Sequence, residues 1–291
     1  MIANLEALAA LSQLGTMTRA AIRLRITQSA VSKRIAALEQ EVQAKLIERT
    51  GRRVHLTAEG RDLLARTQPL LAELRASLTT GQLERDGTLV VGVSESILSS
   101  WGPATLAGVQ RKLQGLEVIL NSHRSPVALD YVRSGDYMLA LVGGQAGKYA
   151  DLADEALCEE PMVIVPGDGK GFRWRSGQRL EVMSIEPQSE TWRVIRPQLV
   201  ALEAERNIRI EATQVLQSYA SIVQMARAGF AHGLVPEGIA RALGARTMVR
   251  LPRPGVTRPI SLVGRPFMFQ RPVVRRFTEE LAAACARRWN S

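Results

Sequence analysis

The sequence predicts an α+β multidomain chain: an N-terminal winged helix-turn-helix, a long linker helix, and a two-lobed α/β region. Three observations predict it. The first 56 residues carry helical leucine spacing broken by tight turns, residues 58 to about 80 carry one leucine strip, and from Thr88 onward short apolar strands alternate with helical segments. At 291 residues the chain is long enough for two or three separate cores.

Leu5, Leu8, Leu11 and Leu14 recur at every third position beside Ala9 and Ala10, the stripe of a short amphipathic helix that Gly15 ends. Thr16, Met17 and Thr18 supply an N-cap hydroxyl for a second helix through Leu24, in which Ala20 and Ala21 let another helix approach closely. A third helix runs from Gln28 to about Glu41, capped by Thr27, with Val31, Ile35 and Leu38 on its buried side. Its exposed side offers Gln28, Ser29, Ser32, Lys33 and Arg34. These suit a DNA major groove: Gln makes a bidentate bond to adenine, Lys reaches guanine, and Ser serves a base edge or a phosphate. The N-terminal end of such a helix is the part that enters the groove. Residues 49–56 then read as a short β-hairpin with Gly51 in its turn, a wing whose Arg52 and Arg53 can grip backbone or minor groove.

Charge agrees with that reading. Thirty-eight Lys and Arg against 28 Asp and Glu leave +10, which favours a polyanionic partner. Residues 1–56 hold nine basic and four acidic side chains, residues 241–291 hold eleven arginines against Glu279 and Glu280, and the remainder is net negative. A solvated helix face with arginine-capped loops explains the basic C-terminal segment better than a second nucleic-acid surface does. Apolar runs such as 162–165 fall far short of the roughly 18–20 residues that cross a bilayer, so no membrane partner is expected. The first six residues lack the positive region of a secretory signal, and a cytoplasmic location is the expectation. Cys158 and Cys285, far apart in sequence, indicate neither a disulfide framework nor a zinc site, and are expected to be buried and inert.

In unbroken order, Thr16 through Ala21, the run Thr27, Gln28, Ser29, Ala30, Val31, Ser32, Lys33, Arg34, Ile35, then Leu38, Glu39, Leu46 through Arg49, Gly51, and Leu56 through Gly60 resemble the LysR-type transcriptional regulator family. Ser29 departs from a common proline, Ile47 from an aromatic residue, and Gln43 from the glycine that closes the recognition helix. Gln43 is therefore expected either to take φ > 0, at a cost of roughly 1 kcal/mol, or to leave the helix ending differently. The resemblance implies DNA contacts by Thr27, Gln28, Ser29, Ser32, Lys33, Arg34, Arg52 and Arg53. It also implies double-stranded DNA, a small-molecule effector, a homodimer or homotetramer, and RNA polymerase as partners, with no cofactor.

Thr57 caps the next helix, from Ala58 to about Thr80, whose Leu63, Leu64, Leu70, Leu71, Leu74 and Leu78 form an apolar strip interrupted by Pro69. The resemblance makes it the linker helix that pairs two subunits, and a leucine strip without a sequence neighbour independently asks for a partner chain. Packing against the chain's own second half is the alternative. Asp86 and Gly87 read as a joint.

Residues 89–93, 116–120, 137–142 and 162–165 read as strands, with helices opening after Ser94 and over 127–134; a second set follows with strands at 179–184 and 208–212 and helices at 192–206 and 219–228. These alternations predict a mostly parallel sheet. Residues 260–263 return to the first lobe, and a helix over 272–289 packs there. The expected domains are 1–57, 58–87, a first lobe at 88–165 with 260–291, and a second at 166–259. Such paired lobes resemble periplasmic binding proteins, which places ligand in the cleft at the strand C-terminal ends. The candidate effector residues are Ser94, Ser96, Arg124, Ser125, Gly143, Thr191, Ser218 and Tyr219. Hydroxyls and backbone N–H groups at helix starts attract oxyanions, which favours a small organic anion, while plain N-caps without a ligand remain the alternative.

No nucleophile elbow, P-loop, zincin or dinucleotide fingerprint occurs, and the glycine-rich 167–171 run lacks Walker spacing and reads as a turn. His55, His123 and His232 have no companion ligands at metal-binding spacing. The expected function is sequence-specific transcription regulation without catalysis, modulated by a ligand that favours one lobe arrangement. An enzyme acting on the cleft ligand, and an architectural protein that binds DNA through charge alone, stay open.

Overall fold

The computed structural model describes residues 1–51, 53–147, 149–187 and 189–289, without the side chains of residues 72, 75–86 and 289. Two of the sequence-derived candidates, Arg52 and the side chain of Leu78, lie outside the described residues. The chain divides into two compact units, Met1–Leu78 and Thr79–Ser291.

The first unit holds α1 (Ile2–Leu14), α2 (Met17–Leu24), α3 (Gln28–Val42), a hairpin of β1 (Ile47–Thr50) and β2 (Arg53–Leu56), and the start of α4 (Ala58–Asp86). Leu5, Leu8, Leu11, Val31, Ile35 and Leu38 share one core. The starts of α2, α3 and α4 have side-chain caps, and α1 has none: Thr16 Oγ1 accepts from Arg19 N at 3.3 Å, Thr27 Oγ1 from Ala30 N at 3.2 Å, and Thr57 Oγ1 from Gly60 N at 3.0 Å. As the absent glycine predicts, Gln43 closes α3 in the left-handed region at φ 53. The wing is pinned at both ends, because Val54 N donates to Gly15 O at 2.8 Å and Thr57 N to Leu46 O at 3.0 Å. Glu39 ties α3 to the segment that leads from it into the wing, accepting from Leu46 N at 2.9 Å and Lys45 Nζ at 2.9 Å. Burial works to raise the Glu39 pKa, but these donors outweigh it and hold the carboxyl below its ordinary range.

The single leucine strip expected of α4 is divided. Leu64 and Leu71, one heptad apart, are buried in the first unit's own core with Leu63 packed beside them. Leu70 and Leu74, on another face, are exposed at 63% and 44%. Of the described leucines, then, two remain uncovered. Pro69 lies within the helix and has no N–H to give the Ala65 carbonyl.

The second unit begins with β3 (Thr88–Ser94), α5 (Glu95–Leu98), α6 (Gly102–Lys112), β4 (Glu117–His123), α7 (Ser125–Ser134) and β5 (Leu139–Gly143). A long β6 (Ala153–Val165) leads into β7 (Arg179–Ile185), α8 (Glu190–Arg206), β8 (Arg209–Leu216), α9 (Tyr219–Arg227), β9 (His232–Pro236), α10 (Glu237–Ala242) and β10 (Val249–Arg250), and the chain returns through β11 (Thr257–Gly264) to α11 (Pro272–Trp289). The strand order is β4-β3-β5-β11-β6-β9-β7-β8, with β10 on β6. Within each lobe the pairs β3–β4, β3–β5, β7–β8 and β7–β9 are parallel. The crossing strands β6 and β11 pair antiparallel with each other and with their neighbours, so the expectation of a mostly parallel sheet is corrected: half of the described pairings are antiparallel. A parallel pair needs a crossover helix, and these two strands pass between lobes without one. Separate apolar cores follow, one around Leu89, Leu139, Leu262 and Phe277, the other around Val182, Ile195, Leu199 and Leu234.

Cys158 on β6 and Cys285 on α11, remote in sequence, stand side by side, Cys285 buried and Cys158 half-buried. The hydrogen bond to Cys285 and burial push the Cys158 thiol above its ordinary range. No helix among the described residues is long and apolar enough to cross a membrane.

Candidate nucleic-acid interface and ligand cleft

At the start of α3, Thr27, Gln28, Ser29 and Lys33 are exposed and Ser32 and Arg34 half-exposed, with Arg53 exposed on the wing. Two of these side chains also serve the fold: Thr27 Oγ1 caps the helix and shares a 2.9 Å hydrogen bond with Ser29 Oγ. Gln28 lines a groove of about 390 Å³ with Thr16, Thr18, Arg49 and Gly51. Sequence spacing alone gives Thr16 and Thr18 the role of caps. Their place opposite Gln28 follows from the α2–α3 turn bringing two helix starts together, which one-dimensional spacing does not report.

In the second unit, β3, α7, β5, α8, α9 and β11 converge on an inter-lobe cavity of about 50 Å³. Seven of the eight candidate residues line it: Ser94, Ser96, Arg124, Ser125, Gly143, Thr191 and Tyr219. Ser218 does not; it caps α9 and donates to Glu95 Oε1 at 3.2 Å. Ser94 Oγ and Ser125 Oγ share a 2.6 Å bond across the first two βα turns. Thr191 Oγ1 donates to Gly143 O at 2.8 Å, linking the lobes, while the cap of α8 is Ser189. Arg124 pairs with Glu186.

Behind these residues lies a group that sequence reasoning missed. Arg258, 1% exposed, donates from Nε and Nη2 to Glu160 Oε2 at 2.9 and 2.7 Å, and from both Nη atoms to Ser96 Oγ at 3.2 Å. Glu160 is fully buried, and its Oε1 accepts from Trp101 Nε1 and Gly238 N, each at 3.2 Å. A Cβ at Gly143 would meet Arg258 Nη1 at 2.6 Å, so glycine there makes room for the guanidinium. Arg258 also stands over the Tyr219 ring, 5.4 Å from its centroid. Burial pushes the Tyr219 pKa up to about 12, against the pull of Arg258, and its hydroxyl lies near Thr191 without a hydrogen bond of good geometry. The missed signal was an arginine next to Pro259 at the edge of an apolar run, together with a glutamate in the acidic stretch 154–160.

The lining also carries Glu95, Glu186 and Glu190, three carboxylates beside two guanidiniums. A 50 Å³ cavity holds about three or four waters. The histidines stand apart from it: His123 Nε2 is hydrogen-bonded to Tyr137 Oη at 2.7 Å, and His232 Nδ1 accepts from Gly167 N at 3.1 Å. Among the described residues no group of three or more His, Cys, Asp or Glu could hold a metal ion.

Both parts have counterparts in known proteins. Residues 2–61 match the model of the bacterial regulatory helix-turn-helix proteins of the lysR family, and residues 82–286 match the LysR substrate binding domain. The chain belongs to the LysR family. An uncharacterized HTH-type transcriptional regulator of Vibrio cholerae serotype O1 is 28% identical over 244 residues, 84% of this chain and 81% of that protein. The crystal structure of CbnR, a LysR family transcriptional regulator, superposes with a TM-score of 0.63 at 18% identity over 98% of this chain and 99% of the other. Full-length CbnR complexed with its target DNA gives 0.54 at 19% identity, over 98% and 99%. These structural likenesses establish the fold. As a LysR-type transcriptional regulator, the chain joins a DNA-binding helix-turn-helix to a domain that binds an effector.

Proposed function

We propose that this LysR-type regulator reads its operator with the start of α3 and senses a small organic anion in the inter-lobe cavity. Gln28, Ser29, Ser32 and Lys33 read base edges, Thr27 and Arg34 flank them, and Arg53 with Arg52 grips the backbone. The observation that carries the reading is the exposed, polar and basic start of α3, set beside the groove shared by Gln28, Thr16 and Arg49. Leu70 and Leu74 give α4 its subunit-pairing face. The working segments are residues 1–57, 58–87, 88–165 with 260–291, and 166–259, in a cytoplasmic homo-oligomer.

The starts of α7, α8 and α9 at the cavity favour a carboxylate or phosphate group on the effector. Glu95, Glu186 and Glu190 favour an amino or other donor group on the same molecule. Because the cavity holds only a few waters, the lobes part to admit the ligand, and the ligand then biases their separation. We infer sensing without turnover from the relatives, which are named as regulators. Conversion of a bound metabolite by the intact protein, lost on changing Ser96 or Arg124, would overturn that part.

The DNA reading is tested by two variants across a salt series. Lys33→Gln should relax base preference at one position, whereas Arg53→Gln should weaken all sequences alike and lower the salt slope by about one. Identical behaviour of the two contradicts the assigned roles.

A further inference from the structure

The basic C-terminal segment has its own cavity. Residues of β6, α10, β10, the 251–256 loop, β11 and α11 enclose about 550 Å³, within the roughly 300–1,000 Å³ range of small-molecule pockets. Four guanidiniums line it, those of Arg241, Arg250, Arg253 and Arg288, over an apolar floor that includes Met162, Leu251 and Val256. Glu237 is the single carboxylate among the described lining residues. It is 3% exposed and already engaged, accepting from Arg241 Nε at 2.9 Å and Arg250 Nη2 at 3.2 Å. Nearby, Glu159 accepts from the Thr257 hydroxyl at 2.8 Å. The described lining residues therefore carry a formal excess of three positive charges around a concave space.

We propose that this cavity is a second ligand site, taking a multiply charged oxyanion: a small molecule with two or more phosphate or carboxylate groups. Guanidinium forks match both groups in bidentate geometry, and a concave, partly apolar pocket suits a compact anion better than a flat polyelectrolyte surface does. Its position gives the site regulatory consequence. Thr257 lines this cavity and Arg258 the inter-lobe one, so adjacent β11 residues serve the two opposite faces of the crossing strands. On β6, Pro161 lines this cavity while its neighbour Glu160 pairs with Arg258, and on α10 Glu237 lines it while its neighbour Gly238 donates its N–H to Glu160. An anion bridging Arg288 on α11 to Arg241 on α10 would hold the two lobes at one separation.

The test is calorimetric titration of the full-length protein with inorganic pyrophosphate and, separately, citrate at matched ionic strength. One saturable site per chain is expected, and the tighter of the two anions identifies the phosphate or the carboxylate source. Arg253→Gln and Arg288→Gln should each weaken it about tenfold, the effect of one charge-assisted hydrogen bond, with melting temperature and DNA affinity unchanged. Arg253 is exposed in a loop, so its variant leaves the core intact. Titrations identical for wild type and the double variant, or no saturation by about 10 mM of either anion, a limit of about 2.7 kcal/mol of affinity, would overturn the proposal. Loss of binding in Arg124→Gln instead would put the anion in the inter-lobe cavity, and loss in Lys33→Gln would put it on the DNA surface. Either result sinks the second site and leaves the DNA-reading proposal standing.

Discussion

Replacing Arg258 with methionine removes one member of a fully buried ion pair while keeping much of the side-chain volume. Glu160, fully buried, would keep only Trp101 Nε1 and Gly238 N as donors, and Ser96 Oγ would lose two. Leaving a buried charge without its partner costs about 3–5 kcal/mol. For a unit of this size each kcal/mol lowers the melting temperature by about 2–4 °C, so Arg258→Met should melt about 6–20 °C below wild type. Glu160→Gln in the same chain removes the stranded charge and keeps an oxygen for Trp101 and Gly238. The double variant should therefore recover about 1–3 kcal/mol relative to the sum of the single effects. Urea unfolding followed by circular dichroism at neutral pH measures all three. Additivity within about 0.5 kcal/mol, or an Arg258→Met loss below about 1 kcal/mol, would refute the reasoning that the buried Glu160 depends on Arg258 for its compensation.

Three further outcomes are expected. Gln43→Gly relieves a left-handed non-glycine residue and should stabilise the first unit by about 1 kcal/mol, seen as a melting temperature about 4–8 °C higher. Gly143→Ala places a Cβ 2.6 Å from Arg258 Nη1 and should weaken effector response before DNA binding, measured as the metabolite concentration that shifts a footprint. The depressed Glu39 carboxyl contributes stability that is present above the ordinary value of 4.5 and lost as pH falls through its lower folded value. Glu39→Gln should accordingly flatten the acid limb of the first unit's stability curve as pH falls below 4.5, and an unchanged limb would remove that linkage.

The start of α3 was legible because local rules act there: Thr27 is a cap, Val31, Ile35 and Leu38 mark one face, and the observed start at Gln28 coincides with the expected one. The same rules placed seven residues at the inter-lobe cavity, since strand ends and helix starts can be located by pattern. Residues 153–161 of β6 were not legible as strand. Their run of Asp and Glu mimics a solvated loop, yet these residues pair with β11 and bury Glu160 against Arg258. That ion pair spans 98 positions and leaves no periodicity to read. The α4 leucines failed differently: a strip on paper ignores the 100° per residue that sends Leu64 and Leu71 inward and leaves Leu70 and Leu74 outside.

The most direct test of the whole account is a hydroxyl-radical footprint of the full-length protein on its own upstream DNA. Paired protected half-sites about one helical turn apart, lost in a Gln28→Ala, Lys33→Ala variant that melts like wild type, are the predicted result. Uniform protection without discrete half-sites, or a footprint that the variant leaves intact, would contradict it.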